Sequence, residues 1–233
     1  MPGPDESFPL IRDALAERYG LPEPPAAGLD PFEAVVATVL DRALDSRKRD
    51  AAIEALRDEG LLDPQALAEA DPVEAEDALK AAGVSVARAG LAPLLRLARW
   101  LVERHHGSAD DLADPESPVP SEQLREELRA IHGVGPATAD AVLLFGLRRA
   151  VYPIDRATYR VLARHGWIDP DAGYDEAREV VERLARDDPE TLARISLWLD
   201  RVGRDYCRAG VARCERCPLR PFLPEGGPID PNG

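Results

Sequence analysis

Residues Leu128 to Asp140 read Leu-Arg-Ala-Ile-His-Gly-Val-Gly-Pro-Ala-Thr-Ala-Asp, a stretch that few backbone paths can satisfy. Gly133 and Gly135 permit positive φ and close backbone approach, and Pro136 fits the first turn of a helix, where its missing N–H costs nothing. The stretch therefore predicts a helix ending near Ile131, a tight turn, and a second helix from Pro136. Such a turn leaves backbone N–H groups pointing outward at a helix start, where the dipole favours an anion such as a phosphate. A lone acid, Asp155 in Tyr-Pro-Ile-Asp-Arg-Ala-Thr-Tyr, follows fifteen residues after Asp140.

The rest of the chain reads as short helices, so the expected class is all-α. β-Branched runs are short, aliphatics outnumber aromatics, and 22 prolines punctuate segments of helical length. Helices are predicted over Ser7–Tyr19, from Asp30-Pro31 through Leu40, and over 46–59, 64–69, 73–82, 87–105, 121–131, 136–147, 156–165, 174–186 and 189–205. Leu21 to Gly28 reads as a linker, and Gly107 to Ser121, rich in Asp, Ser and Pro, as a loop. No apolar run reaches the roughly 20 residues that span a bilayer, and the N-terminus lacks a signal-peptide pattern. A cytoplasmic, nucleoid-associated protein is expected.

A net charge of −14 argues at first sight against a nucleic-acid partner. Its distribution changes that. Residues 1–120 carry 24 acids against 12 bases and residues 169–195 carry 9 against 4, whereas 141–168 carry 5 arginines against Asp155 alone and 196–223 carry 6 against 3 acids. The chain is acidic with two basic islands, and the acidic segments read as solvated surface. Three cysteines, Cys207, Cys214 and Cys217, cannot build a disulfide framework, and a tight odd cluster points toward metal.

The hairpin, written Leu128-x-x-Ile131-His132-Gly-Val-Gly-x-x-Thr138-Ala139-Asp140 and followed by Ile154-Asp155, resembles the helix-hairpin-helix DNA glycosylases of the endonuclease III superfamily. Pro31-Phe32-Glu33, Leu79-Lys80-x-x-Gly83 and Trp198-Leu199-x-x-x-Gly203-Arg204 extend the likeness from about 30 to 223. The resemblance implies a two-lobed helical fold. Residues 29–148 would form a barrel domain with the hairpin at about 121–147, residues 1–28 and 149–223 a second domain with a cysteine loop at 207–223, and residues 224–233 a disordered tail. It implies a monomer that binds damaged or mismatched duplex DNA through His132, Gly133, Val134, Gly135, Ala137, Thr138, Arg160 and Arg204. It also makes Asp155 the catalytic acid. Breaking an N-glycosidic bond builds positive charge on the sugar, which a carboxylate stabilises while orienting or deprotonating water. The base must first leave the stack, which needs a wedge and a pocket.

The chain departs from the family at three places. Members that also cut the strand carry a lysine two residues after the second hairpin glycine, and here that residue is Ala137, with only Lys48 and Lys80 elsewhere. A monofunctional glycosylase follows, acting in base excision repair. The usual gap-filling polar run is replaced by Leu40-Asp41-Arg42-Ala43-Leu44-Asp45, which leaves Arg42 as the wedge candidate beside Ala43, with Asp41 and Asp45 set to repel phosphate. Tyr152 reads first as core, although it lies close enough to Asp155 in sequence to be a base-pocket candidate. Finally, Cys207-x6-Cys214-x2-Cys217 matches three ligands of the family's iron-sulfur loop, but the fourth position is Leu223. The options are a [4Fe-4S] cluster with another fourth ligand, a three-iron cluster, a zinc site or an empty loop. A catalytically degenerate DNA-binding homologue is the alternative function, and a strand-cleaving lyase the less favoured one.

Overall fold

Four helices begin at an Asp-Pro step, and the two residues divide the work. The aspartate accepts first-turn N–H groups while the proline supplies a helical φ and needs no acceptor. Asp30 accepts from Glu33 N at 2.9 Å, Asp63 from Gln65 N and Ala66 N, Asp71 from Val73 N at 2.7 Å, and Asp188 from Thr191 N at 2.8 Å. Part of the acidity therefore serves as helix caps. Hydrogen bonds to the side chain and backbone of Thr191 hold the Asp188 carboxyl below its ordinary range.

The computed structural model describes residues 4–24, 26–85, 88–210 and 212–229. It is all-α, with α1 Pro4–Tyr19, α2 Pro31–Asp41, α3 Ser46–Asp58, α4 Pro64–Glu69, α5 Pro72–Ala81, α6 Arg88–His105, α7 Ala109–Ala113, α8 Ser121–Ala130, α9 Pro136–Ala141, α10 Arg156–Arg164, α11 Tyr174–Leu184 and α12 Pro189–Asp205. No helix of the described residues is long and apolar enough to cross a membrane.

The chain divides into two compact units. In residues 25–149, α2 packs on α3, on α7 and on a π turn at Val142–Gly146, while α4 and α5 pack on α6, and α8 on α9. The core of this unit includes Val36, Leu40, Leu56, Leu94, Leu97, Leu101, Leu124 and Leu128, all buried. In residues 1–24 with 150–233, α10 packs on α12, and α1 on α11 and α12. Trp198 of α12 is buried with its indole N–H donating to the Gly20 carbonyl at 2.8 Å.

The structure departs from the sequence expectations in three elements. The expected loop after Gly107 contains α7, capped by Ser108 Oγ and anchored by buried Ala109 and Leu112; five residues are too few to show a period. The helix expected over 136–147 turns into the π turn after Ala141, which lays Gly146 against Val35, where a Cβ would stand 2.7 Å from Val35 Cγ2. Residues 224–229, expected as a tail without structure, make a turn through Gly227 N and Pro224 O, and Ile229 N donates to the Arg164 carbonyl at 3.0 Å. The remainder of that expected tail, 230–233, lies outside the described residues.

Helix α10 crosses α12 at Gly203, where an added Cβ would fall inside the radius of Ala157 Cβ and 3.2 Å from Ala157 Cα. Neither atom belongs to a flexible side chain. Gly203→Ala is therefore expected to cost about 2 kcal/mol or more and to lower the melting temperature by roughly 5 °C; an unchanged thermal transition would contradict this crossing.

Candidate functional site

The predicted hairpin is present between α8 and α9. Ile131 ends the first helix, Val134 N returns to the Ile131 carbonyl at 2.9 Å, and Thr138 N and Ala139 N close on the Gly135 carbonyl. Among the described residues, the N–H groups of Gly133, Gly135 and Ala137 donate to no backbone carbonyl. Gly133 has φ +93°, and a Cβ there would approach Pro93 Cγ of α6 to 2.8 Å, so both conformation and space require glycine. His132, Gly133, Gly135 and Pro136 are exposed, and Ala137 and Thr138 half-buried. Val134 turns its side chain into the core, so only its backbone is available to a ligand.

Two contacts that sequence reading missed hold this turn. Arg125 of α8 and Asp140 of α9 form a buried pair, Nε to Oδ1 at 2.7 Å and Nη2 to Oδ2 at 3.4 Å, with the aspartate side chain 0% exposed. Arg96 of α6 donates to the His132 carbonyl at 2.9 Å and lies 3.2 Å from its Nδ1. Fifteen and thirty-six residues separate the partners, so no local pattern announces them.

Arg42 and Ala43, the wedge candidates, form an exposed turn after α2, with Ala43 N returning to Leu40 O at 3.0 Å. Their acidic neighbours have local tasks. Asp41 accepts from Arg49 at 2.8 Å and Asp45 caps α3 through Lys48 N at 3.0 Å, which reduces the repulsion expected from them.

In the other unit Asp155 caps α10, its Oδ1 accepting from Thr158 N at 2.6 Å. Among the described residues, this is the donor that holds it, and its carboxylate is half-buried. The segment leading to it is pinned by Glu182 of α11, which accepts from Tyr152 N at 2.8 Å, and by Tyr174 OH, which accepts from Ile154 N at 3.2 Å. Tyr152 has no exposed surface, and its hydroxyl lies 3.3 Å from Thr158 Oγ1. Burial, and then the Asp155 charge, pushes its pKa up. The residue proposed from sequence for a base pocket is thus a core support beneath the acid, because a wall residue needs an open face.

The basic islands are less free than their arginine count implies. Arg149 Nε donates to Leu112 O at 2.7 Å, and burial lowers its pKa. Arg160 Nε donates to Cys207 O at 3.0 Å, and Arg164 Nη1 to Cys207 Sγ at 3.2 Å and Arg208 O at 2.9 Å. Arg204 pairs with Asp200 one turn earlier. Arg148, Arg156, Arg213 and Arg216 are exposed, as are Arg201, Arg208 and Arg220, which also donate to the carbonyls of Tyr19, Arg204 and Glu215.

Cys207, Cys214 and Cys217 are free thiols. Among the described residues no group of three or more His, Cys, Asp or Glu side chains could hold a metal ion. Burial pushes the Cys217 thiol up to about 11 and, with Cys207 nearby, raises Cys214. Leu223 offers no donor, and Cys207 Sγ already accepts from a guanidinium.

No family model matches the chain. Three curated relatives span it almost fully. A Methanocaldococcus jannaschii protein, provisionally named a DNA repair glycosylase, is 29% identical over 82% of this chain and 84% of its own. Endonuclease III of Thermotoga maritima is 29% identical over 82% and 81%, and that of Sulfolobus acidocaldarius 28% over 82% and 80%. Among solved structures, an endonuclease III trapped as a covalent intermediate with DNA superposes with a TM-score of 0.69 at 21% identity, covering 95% of this chain and 96% of that one. A thermostable thymine-DNA glycosylase gives 0.66 at 17%, covering 94% and 95%. In sequence relatives and in fold alike, the chain is similar to the endonuclease III-like members of the helix-hairpin-helix DNA glycosylase superfamily.

Two stability tests follow. Asp140→Ala removes the buried partner of Arg125, whose Nη1 also meets Glu122 at 3.2 Å, and is expected to cost about 3 kcal/mol, with Arg125→Met added to Asp140→Leu recovering most of it; urea unfolding of the three variants measures this. Glu127 of α8 accepts from Trp100 Nε1 at 2.9 Å and Gln123 Nε2 at 3.0 Å, and meets His105 Nε2 at 2.8 Å. Burial raises its pKa, but these hydrogen bonds overcome that and lower it to about 2. A folded pKa below the unfolded value of about 4.3 means stability that is complete above that pH and is lost as pH falls toward 2. Glu127→Gln should flatten the stability profile between about pH 5 and 2, and an unchanged slope would rule the pairing out.

Proposed function

We propose that the protein is a monofunctional DNA glycosylase of base excision repair, hydrolysing the N-glycosidic bond of a damaged or mismatched base in duplex DNA and acting as a monomer. The observation that carries this reading is Asp155. Beyond its cap, the segment that delivers it is fixed by Glu182 on Tyr152 N and Tyr174 on Ile154 N, which supports a placed carboxylate. One oxygen takes the Thr158 N–H and fixes the group's orientation, while the charge serves the developing sugar cation and the attacking water. The exposed backbone at Gly133, Gly135 and Ala137 suits a phosphate contact in which no lysine is needed. Ala137 puts a methyl group where strand-cleaving members carry their amine, so hydrolysis stops at the abasic sugar.

A catalytically degenerate DNA-binding homologue is the competing reading, favoured by the small, exposed Ala43 where the gap-filling group belongs. Duplexes carrying uracil, thymine opposite guanine, oxidised pyrimidine, 8-oxoguanine or alkylated purine separate the two when base release is scored with and without alkali. Release from one class is expected, with strand cleavage only after alkali. Asp155→Asn keeps the cap, since asparagine caps as well as aspartate, and should slow release by about 100-fold or more at an unchanged melting temperature. Retained DNA binding with no release from any duplex would establish the degenerate reading.

A further inference from the structure

The cysteine spacing asks for a metal, but protein groups alone hold the loop. Arg164, the last residue of α10, is 7% exposed. Its Nη1 donates to Cys207 Sγ at 3.2 Å and Arg208 O at 2.9 Å, and Nη2 reaches Ala209 O at 3.5 Å. One turn earlier Arg160 Nε donates to Cys207 O at 3.0 Å. His165 Nδ1 lies 3.1 Å from Phe222 O, and burial lowers its pKa. The strand-like exit from α12 closes through Arg213 N to Tyr206 O at 2.9 Å and a bridge between Cys207 and Ala212, and Leu219 is fully buried at the loop's base.

We propose that this loop folds and functions without a metal or cluster, and that Arg164 acts as its clasp, doing by hydrogen bonds what a cluster would do by coordination. The guanidinium suits the task because its rigid fork carries five N–H donors, and the 207–209 segment turns successive acceptors toward it. A buried cation is costly unless its donors are met; here carbonyl oxygens and a sulfur meet them. Because α10 is capped by Asp155 at its start and ends at Arg164, a single helix ties the proposed catalytic acid to the loop that presents Arg208, Arg213, Arg216 and Arg220, independently of iron supply and oxygen.

The test uses the full chain purified anaerobically from iron-supplemented cells, with readouts that do not depend on the reaction. The unmutated protein should hold far less than one iron or zinc per chain and show no visible absorbance band. Cys214→Ser with Cys217→Ser, which dismantles any thiolate metal site yet leaves the Arg164 to Cys207 contact, should melt with the parent. Arg164→Lys and Arg164→Ala should melt several degrees lower, and their Cys207 should react about tenfold faster with a thiol reagent. Stoichiometric metal in the unmutated chain overturns the proposal even if an Arg164 variant does not fold. So does unfolding of the double cysteine variant, and so does an Arg164 variant that melts and reacts like the parent.

Discussion

The buried pair between Arg125 and Asp140 is the constraint on which the hairpin depends. It joins the helix before the turn to the helix after it, and its two side chains are 3% and 0% exposed. Such a pair adds little net stability over an apolar substitute, but breaking it strands a charge, so it selects one geometry over its neighbours. Gly133 against Pro93 and Arg96 on the His132 carbonyl then seat the turn on α6. The outward N–H groups are a consequence of that seating rather than of the glycines alone.

The second unit shows the same economy in one helix. Helix α10 begins where Asp155 takes the Thr158 N–H and ends where Arg164 enters the cysteine loop, and it crosses α12 at a position only glycine can fill. Buried Tyr152 and Glu182 set the approach to the acid. Catalytic carboxylates need fixed geometry more than they need unusual surroundings, and a helix cap provides it.

The features legible in the sequence were those with a local cause. Glycine, proline and aspartate mark helix ends because their backbone chemistry acts within a few residues, so helices such as 64–69 and 189–205 and the 133–136 turn could be located directly. What escaped had partners far along the chain. Arg125 with Asp140, Arg96 with His132 and Arg164 with Cys207 lack a shared period or motif, and counting arginines as a basic island overlooked the carbonyls that occupy Arg149, Arg160 and Arg164. Tyr152, three positions before the extended cap Asp155, is buried, in keeping with the core reading of it. The π turn had no compositional signal.

The proposed monofunctional chemistry rests on Ala137 standing where strand-cleaving members of the family carry an amine, with an acid present at Asp155. Borohydride trapping during turnover of a duplex from which the protein releases a base measures this directly, because only an enzyme amine bonded to the sugar is reduced to a permanent adduct. The account predicts base release with no trapped protein and no strand cut before alkali, and an adduct appearing only when Ala137→Lys restores an amine. A covalent adduct with the unmutated chain would contradict it.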